Sequence, residues 1–407
     1  MMAMTDDQTQ PLPLDDDSYY RDQTAFFGRL RETCPVREVQ MVDGRRAWAV
    51  TRFEDVRKGL ADPRLAKDQH HFPGGAKEWP SQEVNLHAHM LHRDPPDHTR
   101  LRGLMQHAFT PRRVAALRPR VEEITARLLD AMAARSGDVV DLLEDFARPL
   151  PVIVLFELLG LPEEDRERIS AVVIDYSKLS QWPRVTRTLA AYLTELIAAK
   201  RAEPGDDLIS ALIHVRDTDA TADLGPALTE TELLSGIFQL IMAGFDTTVN
   251  LIANGTAALL AHPEELARLR ADPSLFPAAV EELLRFTNPL NHATDRFTTE
   301  ELRLGGVTVP EGEWVMLATS SANRDPDRFP DPDRLDLARD ARGHVAFGHG
   351  IHFCLGAPLA RMEAEVALRA LLQRFPALSL AADSLEELRH RRTSLMNGFE
   401  SLPVRLA

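Results

Sequence analysis

The chain is poor in cysteine, short of basic charge and without an apolar leader. Its 407 residues hold two cysteines, Cys34 and Cys354. Two thiols cannot build a disulfide framework, a four-cysteine zinc site or a cysteine-held iron–sulfur cluster, and they fit a reducing cytoplasm. Lys and Arg total 47 against 62 Asp and Glu, a formal charge of −15, which excludes a generally basic nucleic-acid binder and leaves room only for a local basic patch. The first 20 residues, MMAMTDDQTQPLPLDDDSYY, have no apolar run that a signal peptide or membrane anchor needs, and read as a flexible arm. No internal repeat or long low-complexity linker divides the remainder, so residues 21–407 are expected to form one domain.

What is present is mostly helical pattern. Segments 24–34, 53–63, 94–109, 110–135, 141–159, 162–179 and 184–201 carry helix periodicity. Asp94, Pro95 and Asp97 suggest the start of one helix, and Thr110-Pro111 the start of the next. The longest pattern runs from 228 to 262, opens on a Thr229/Glu232 capping box and ends at His262-Pro263. As one helix it would span roughly 50 Å at 1.5 Å per residue. Its centre is apolar nearly all round, so it should be buried. Short strands are expected at 45–51 and around ELRLGG, VTVP and EWVMLAT, giving a mainly α chain with a few small sheets. Between Asp68 and His92 lies a loop rich in His, Gly and Pro.

The stretch FGHGIHFCLGAPLAR (347–361) concentrates the chemistry. Gly348, Gly350 and Gly356 allow tight turns and the close approach of a flat ligand. Cys354 lies just before a helical pattern, whose N-terminus favours a thiolate. A buried structural cysteine is the plain alternative. A nucleophilic thiol lacks an evident base and orienter. A dinucleotide loop is excluded because Phe353 stands where a third glycine is needed.

The spacing Phe347-x-x-Gly350-x-x-x-Cys354-x-Gly356 resembles the haem-binding signature of the cytochrome P-450 family. Other landmarks of that family follow the same order along nearly the whole chain. The resemblance implies the mainly α cytochrome P-450 fold: a long central helix over the haem, small β-sheets and a cysteine-ligand loop. It implies haem b held by Cys354 and cradled by Phe347, Gly348 and Gly356. In AGFDTT (243–248), Ala243 and Gly244 would face the haem and leave room for dioxygen. Thr247 would steady that oxygen by hydrogen bonding, and Asp246 would relay protons. Read without the resemblance, Asp246 and Thr247 form a solvent-facing strip, or Thr247 bonds back to a carbonyl. His98 and Arg102 share a helix face. With Arg296 and His352 they match propionate ligands. Glu282 and Arg285 match the family's Glu-x-x-Arg, joined by a meander arginine assigned to Arg334.

By register, substrate contacts are expected from Gln239, Met242, Leu290, His292, Leu395 and Met396. The implied reaction is insertion of one oxygen atom from O2 into a C–H bond or a double bond of a small molecule, with a macrolide, another polyketide or a further secondary metabolite as substrate class. Electrons from NAD(P)H would arrive through a separate ferredoxin and its reductase. Arg112, Arg113 and His349 are candidates for the docking patch. A cytoplasmic monomer free of membrane is expected. Two alternatives stay open: a peroxide-driven peroxygenase and a non-catalytic haem-binding protein. His70, His71, His87, His89 and His92 do not follow a standard zinc spacing, so a metal site is the minor reading, and the resemblance implies that some of them touch substrate.

Overall fold

The computed structural model describes residues 10–14, 19–20, 22–41, 43–72, 86–135, 137–174, 182–217 and 225–406. Helices dominate. The main sheet gathers β1 (Leu12–Pro13), β2 (Val36–Gln40), β3 (Arg46–Val50), β4 (Leu65–Ala66), β6 (Arg296–Thr298) and β9 (Trp314–Leu317), in the order β1-β2-β3-β9-β6-β4. β5 (Val139–Asp141) joins β10 (Ser379–Leu380) and β11 (Pro403–Arg405), while β7 (Leu302–Leu304) and β8 (Val307–Val309) form a hairpin. The register of β6 on β9 sets Arg296 opposite Val315. Arg296 is buried by that pairing, which fixes one wall of the site.

The expected N-terminal arm is anchored wherever it is described. β1 pairs with β2, and Leu14, Tyr19 and Tyr20 are buried in a cluster with Phe26, Phe27 and Met316. These aromatic and aliphatic faces remove enough apolar area from water to hold the segment down. Residues 1–9 and 15–18 lie outside the described residues.

The longest helical pattern folds as two helices, Glu230–Gly244 and Asp246–Ala261, meeting at Phe245 (φ −115°, ψ −52°). The predicted capping box forms: Glu232 N donates to Thr229 Oγ1 at 3.1 Å, and Thr229 N to Glu232 Oε2 at 2.8 Å. The second helix packs on helices Phe276–Thr287 and Ala357–Arg374. It buries Val249, Leu251, Ile252 and Leu259 almost completely, each worth about 1.5–3 kcal/mol. Glu230–Ala261 has the length and hydropathy of a membrane span, but it is the core helix and lies mostly inside the protein.

Other boundaries shift for local reasons. The 110–135 pattern divides into Pro111–Ala116 and Arg118–Ala133, with Thr110 capping the first as predicted. Within 141–159 a π-helical turn, Leu143–Ala147, precedes Pro149–Leu159. Asp94 does not cap the helix Asp97–Ala108. Its carboxylate instead accepts from the backbone N–H groups of Lys67 and Asp68 at 3.0–3.2 Å.

Candidate active site

The cysteine loop closes on itself: Cys354 N donates to Phe347 O at 2.9 Å, and Phe353 N to Gly350 O at 3.1 Å. Gly350 has φ +75°, and a Cβ there would lie 3.1 Å from Ala61 Cα and from Leu60 O. Only glycine fits both the turn and the approach to helix Phe53–Ala61. Cys354 faces an internal cavity of about 1610 Å³ of empty space, its open mouth included. The cysteine counts as exposed by surface area yet lies deep in the protein, because the surface it presents belongs to this cavity. Burial raises its pKa. The N–H of Gly356, the Arg102 cation, the N–H of Ala357 and the Arg361 cation all pull it back toward thiolate. A metal ligand at this position would therefore meet donors ready to stabilise its charge.

Phe347 lies beneath Arg361, whose guanidinium is 4.5 Å from the ring centre and donates to both Glu281 oxygens at 2.5 and 3.0 Å. The loop is thus tied both to its own helix and to Phe276–Thr287.

One corner of the cavity collects donors that find no acceptor in the protein. His98 is 2 % exposed, and neither ring nitrogen has a partner. Its ring lies 4.4 Å from that of His352, whose Nε2 is also unpaired. Arg296 donates from Nη1 to Leu65 O at 3.2 Å, while its Nε is unpartnered. Arg102 lines the same corner, one turn from His98. Burial, then Arg102, hold the His98 pKa down at about 4, and burial lowers Arg296 to about 10. Lys67, which sequence reasoning missed, is buried beside them and bonded to Thr294 Oγ1. Buried donors without acceptors are costly. A ligand carrying two carboxylates would relieve this corner through charge-assisted bonds, so the residues fit the propionates of haem.

Across the cavity stand Ala243, Gly244, Thr247, Thr248 and Leu251 from the broken helix. The Thr247 hydroxyl donates to Ala243 O at 3.2 Å, the carbonyl back-bond weighed from sequence. Gly244 lines the cavity, but the room its missing side chain leaves belongs to Leu155, whose two methyls would sit 3.2 Å from a Cβ. Asp246 is buried and accepts from Arg391 Nη1 at 2.7 and 2.9 Å. No pattern near Asp246 announces this partner, which lies in the C-terminal segment.

Of the residues expected to touch substrate, Gln239 and Leu290 line the cavity, whereas Met242, His292, Leu395 and Met396 do not. His292 Nδ1 turns to Ala293 O at 2.8 Å. Met396 bridges to the Leu290 backbone and buttresses it from behind. The wall comes instead from Met90, Leu91, Leu155, Leu158 and Leu208. It is mostly apolar, with Gln239, Thr247, Thr248 and Thr319 adding polar groups beyond the cationic corner. None of the five loop histidines lines it: His70 pairs with Asp68 and His71 with Asp94.

Glu282 and Arg285 form the predicted pair, at 2.7 and 2.8 Å, with both side chains fully buried. The meander arginine is Arg339 rather than Arg334: its Nε reaches Glu282 Oε1 at 3.2 Å. Arg334 is exposed and offers only its carbonyl to Arg285, at 3.4 Å. Burial of the neighbouring Leu335 turns residue 334 outward, and the chain returns five residues later. Arg285 also donates to Asn323 O at 2.9 Å, and Asn323 Oδ1 accepts from Val345 N at 2.8 Å. The network therefore reaches to within two residues of Phe347.

A model of the cytochrome P-450 family matches residues 173–396. The chain is 48% identical over 412 residues to cytochrome P-450 107B1 of Saccharopolyspora erythraea, covering 99% of both chains. It is 45% identical over 406 residues to the 6-deoxyerythronolide B hydroxylase of the same organism, covering 97% of this chain and 98% of that one. The solved structure of the tirandamycin C-bound monooxygenase TamI superposes with a TM-score of 0.87 at 45% identity, covering 98% of this chain and all (100%) of that one. With a cysteine loop, a donor-rich corner and a broken central helix around one cavity, the chain belongs to the cytochrome P-450 family and is a monooxygenase of that family.

Proposed function

We propose that the protein inserts one oxygen atom of O2 into a C–H bond or double bond of a medium-to-large polyketide of macrolide type. The observation that carries this reading is one cavity joining Cys354, the donor-rich corner and a long apolar wall. Two similar proteins support the substrate class: one is named for hydroxylating 6-deoxyerythronolide B, and the other was solved with tirandamycin C.

When bound, haem b supplies the activation of dioxygen. Cys354 holds its iron as thiolate and donates electron density. His98, Arg102, Arg296 and His352 hold its carboxylates, and Lys67 adds positive potential behind them. The Leu-rich wall excludes water and holds an apolar ring system by its surface. Thr247 offers a hydroxyl on the distal side, and Asp246 carries the proton there from solvent. Electrons from NAD(P)H enter through a ferredoxin and its reductase. Of the expected docking residues, Arg112 is exposed, while Arg113 is held by Asp206 and the Asp207 carbonyl. Ile351, 47% exposed in the cysteine loop, would add an apolar contact for such a partner.

The test is a spectrum of the reduced protein with carbon monoxide, followed by turnover of macrolactones. A thiolate-type Soret band, lost in Cys354→His, together with oxygenated product that requires redox partners, is the expected result. A histidine-type band in the unmutated protein would overturn the haem–Cys354 assignment. A thiolate band without spin shift or product from any macrolactone would overturn the substrate class alone.

A further inference from the structure

His87, His89 and His92 lie too irregularly along the chain for a standard zinc pattern, yet the folded segment brings them together. Met90–His92 makes one 3-10 turn, and His92 N donates to His89 O at 3.1 Å. This turn swings the His92 ring back between the other two, 4.7 Å from each ring centre. A ligand nitrogen from each of the three rings lies within 4.8 Å of the others, and the Nδ1 atoms of His87 and His92 are 2.7 Å apart. Three nitrogens on a tetrahedral zinc, bound at 2.0–2.1 Å, are roughly 3.3 Å apart. Small side-chain movements would convert the cluster into that geometry.

A second observation points to a ligand. His89 is only 5% exposed, and its Nδ1 has no partner. Such an orphan inside the protein is costly, and a metal ion would satisfy it. Two cations stand near. Arg93 is offset by Asp68 at 3.4 Å, and Lys67 is bonded to Thr294, with the Asp94 carboxylate on its backbone.

We propose that His87, His89 and His92 form a three-histidine site for a divalent transition metal, zinc foremost, with water as the fourth ligand. Its place in the fold gives it a consequence. The same segment lends Met90 and Leu91 to the cavity wall and leads directly into the helix bearing His98 and Arg102. Metal at this site pins that wall from outside the cavity.

The experiment titrates the haem-loaded full chain with zinc sulfate against a chromophoric chelator. One equivalent is expected to bind tighter than micromolar. His89→Ala and, separately, His92→Gln should each weaken that binding at least a hundredfold, while H70Q/H71Q leaves it unchanged. Zinc should also raise the melting temperature of the unmutated protein and not that of either variant, a reading that holds even where one variant is less stable. Absence of a submicromolar equivalent would overturn the site. Retention of that equivalent in both variants would overturn it too, by assigning the zinc to an adventitious site only.

Discussion

Two clusters of buried ionisable side chains adjoin the cysteine loop, and they differ in one respect. Around Glu282 and Arg285, donors and acceptors match: Glu282 receives Arg285, Arg339 and the N–H of Asp336, while Arg285 spends its remaining donors on the carbonyls of Asn323 and Pro332. Around His98, Arg102, Arg296 and His352, nitrogen donors gather with hardly an acceptor among them. The first cluster is finished by the protein; the second is finished by a ligand. Burial of charge alone would not tell them apart, but satisfaction does. Glu363 shows a third outcome: it is buried with Oε2 unpaired, and burial pushes its pKa well above the usual carboxylate range.

The contrast is broken most severely by removing one partner from the finished cluster. Glu282→Ala leaves Arg285 and Arg339 facing an empty acceptor site, a loss of about 3–5 kcal/mol. Because the network reaches Val345, haem retention should fall with stability, read by denaturant melts and by the haem content of the purified chain. Arg296→Met should act with the opposite sign on the haem-free chain. Removing a buried cation that has no carboxylate partner and whose Nε is unpaired should stabilise that form by about 1–3 kcal/mol, while haem affinity drops. If Arg296→Met destabilises the haem-free chain, the donor corner is structural and the contrast fails. A smaller effect comes from Glu281. Burial alone would raise its pKa, but bonds from His344 and Arg361 hold it down at about 2. A depressed carboxylate contributes stability above its unfolded value, and that contribution is lost as pH falls through the folded one. The unmutated protein should therefore lose of order 2 kcal/mol more than Glu281→Gln between about pH 4.5 and 2, read by urea melts across that window.

Much of this was legible in the sequence, and the failures share a cause. Local signals survived: the Thr229/Glu232 box, the Thr110 cap, the glycines around Cys354 and the i, i+4 pair His98/Arg102 all depend on neighbours within a turn. Arg334 was misassigned because the meander has no periodicity to set its register, so only the folded chain selects Arg339. Lys67 and Arg391 carried no signal, since their partners lie far along the chain. Met242, Leu395 and Met396 were placed by register, but the break at Phe245 and the Leu290–Met396 bridge decide which side chains reach the cavity. The histidine triplet was discounted because its spacing is nonstandard; the turn at Met90–His92 brings the rings together all the same.

Asp246 is the residue on which the contrast can be sharpened most finely. It is satisfied, because Arg391 bonds both its oxygens, yet its neighbour Thr247 lines the cavity. If the pair belongs to the finished class, Arg391→Gln changes melting temperature and little else. If Asp246 delivers protons, Arg391 acts as a positioning residue that fixes where the carboxylate points. Arg391→Gln should then lower product formed per O2 consumed and alter the turnover rate about tenfold, a barrier change of about 1.4 kcal/mol. The solvent isotope effect should change with it, and Arg391→Lys should restore part of the coupling. A merely structural pair moves neither the coupling ratio nor the isotope effect. Unchanged values for both, in a variant that still binds haem and substrate, would return Asp246 to the structural side of the comparison.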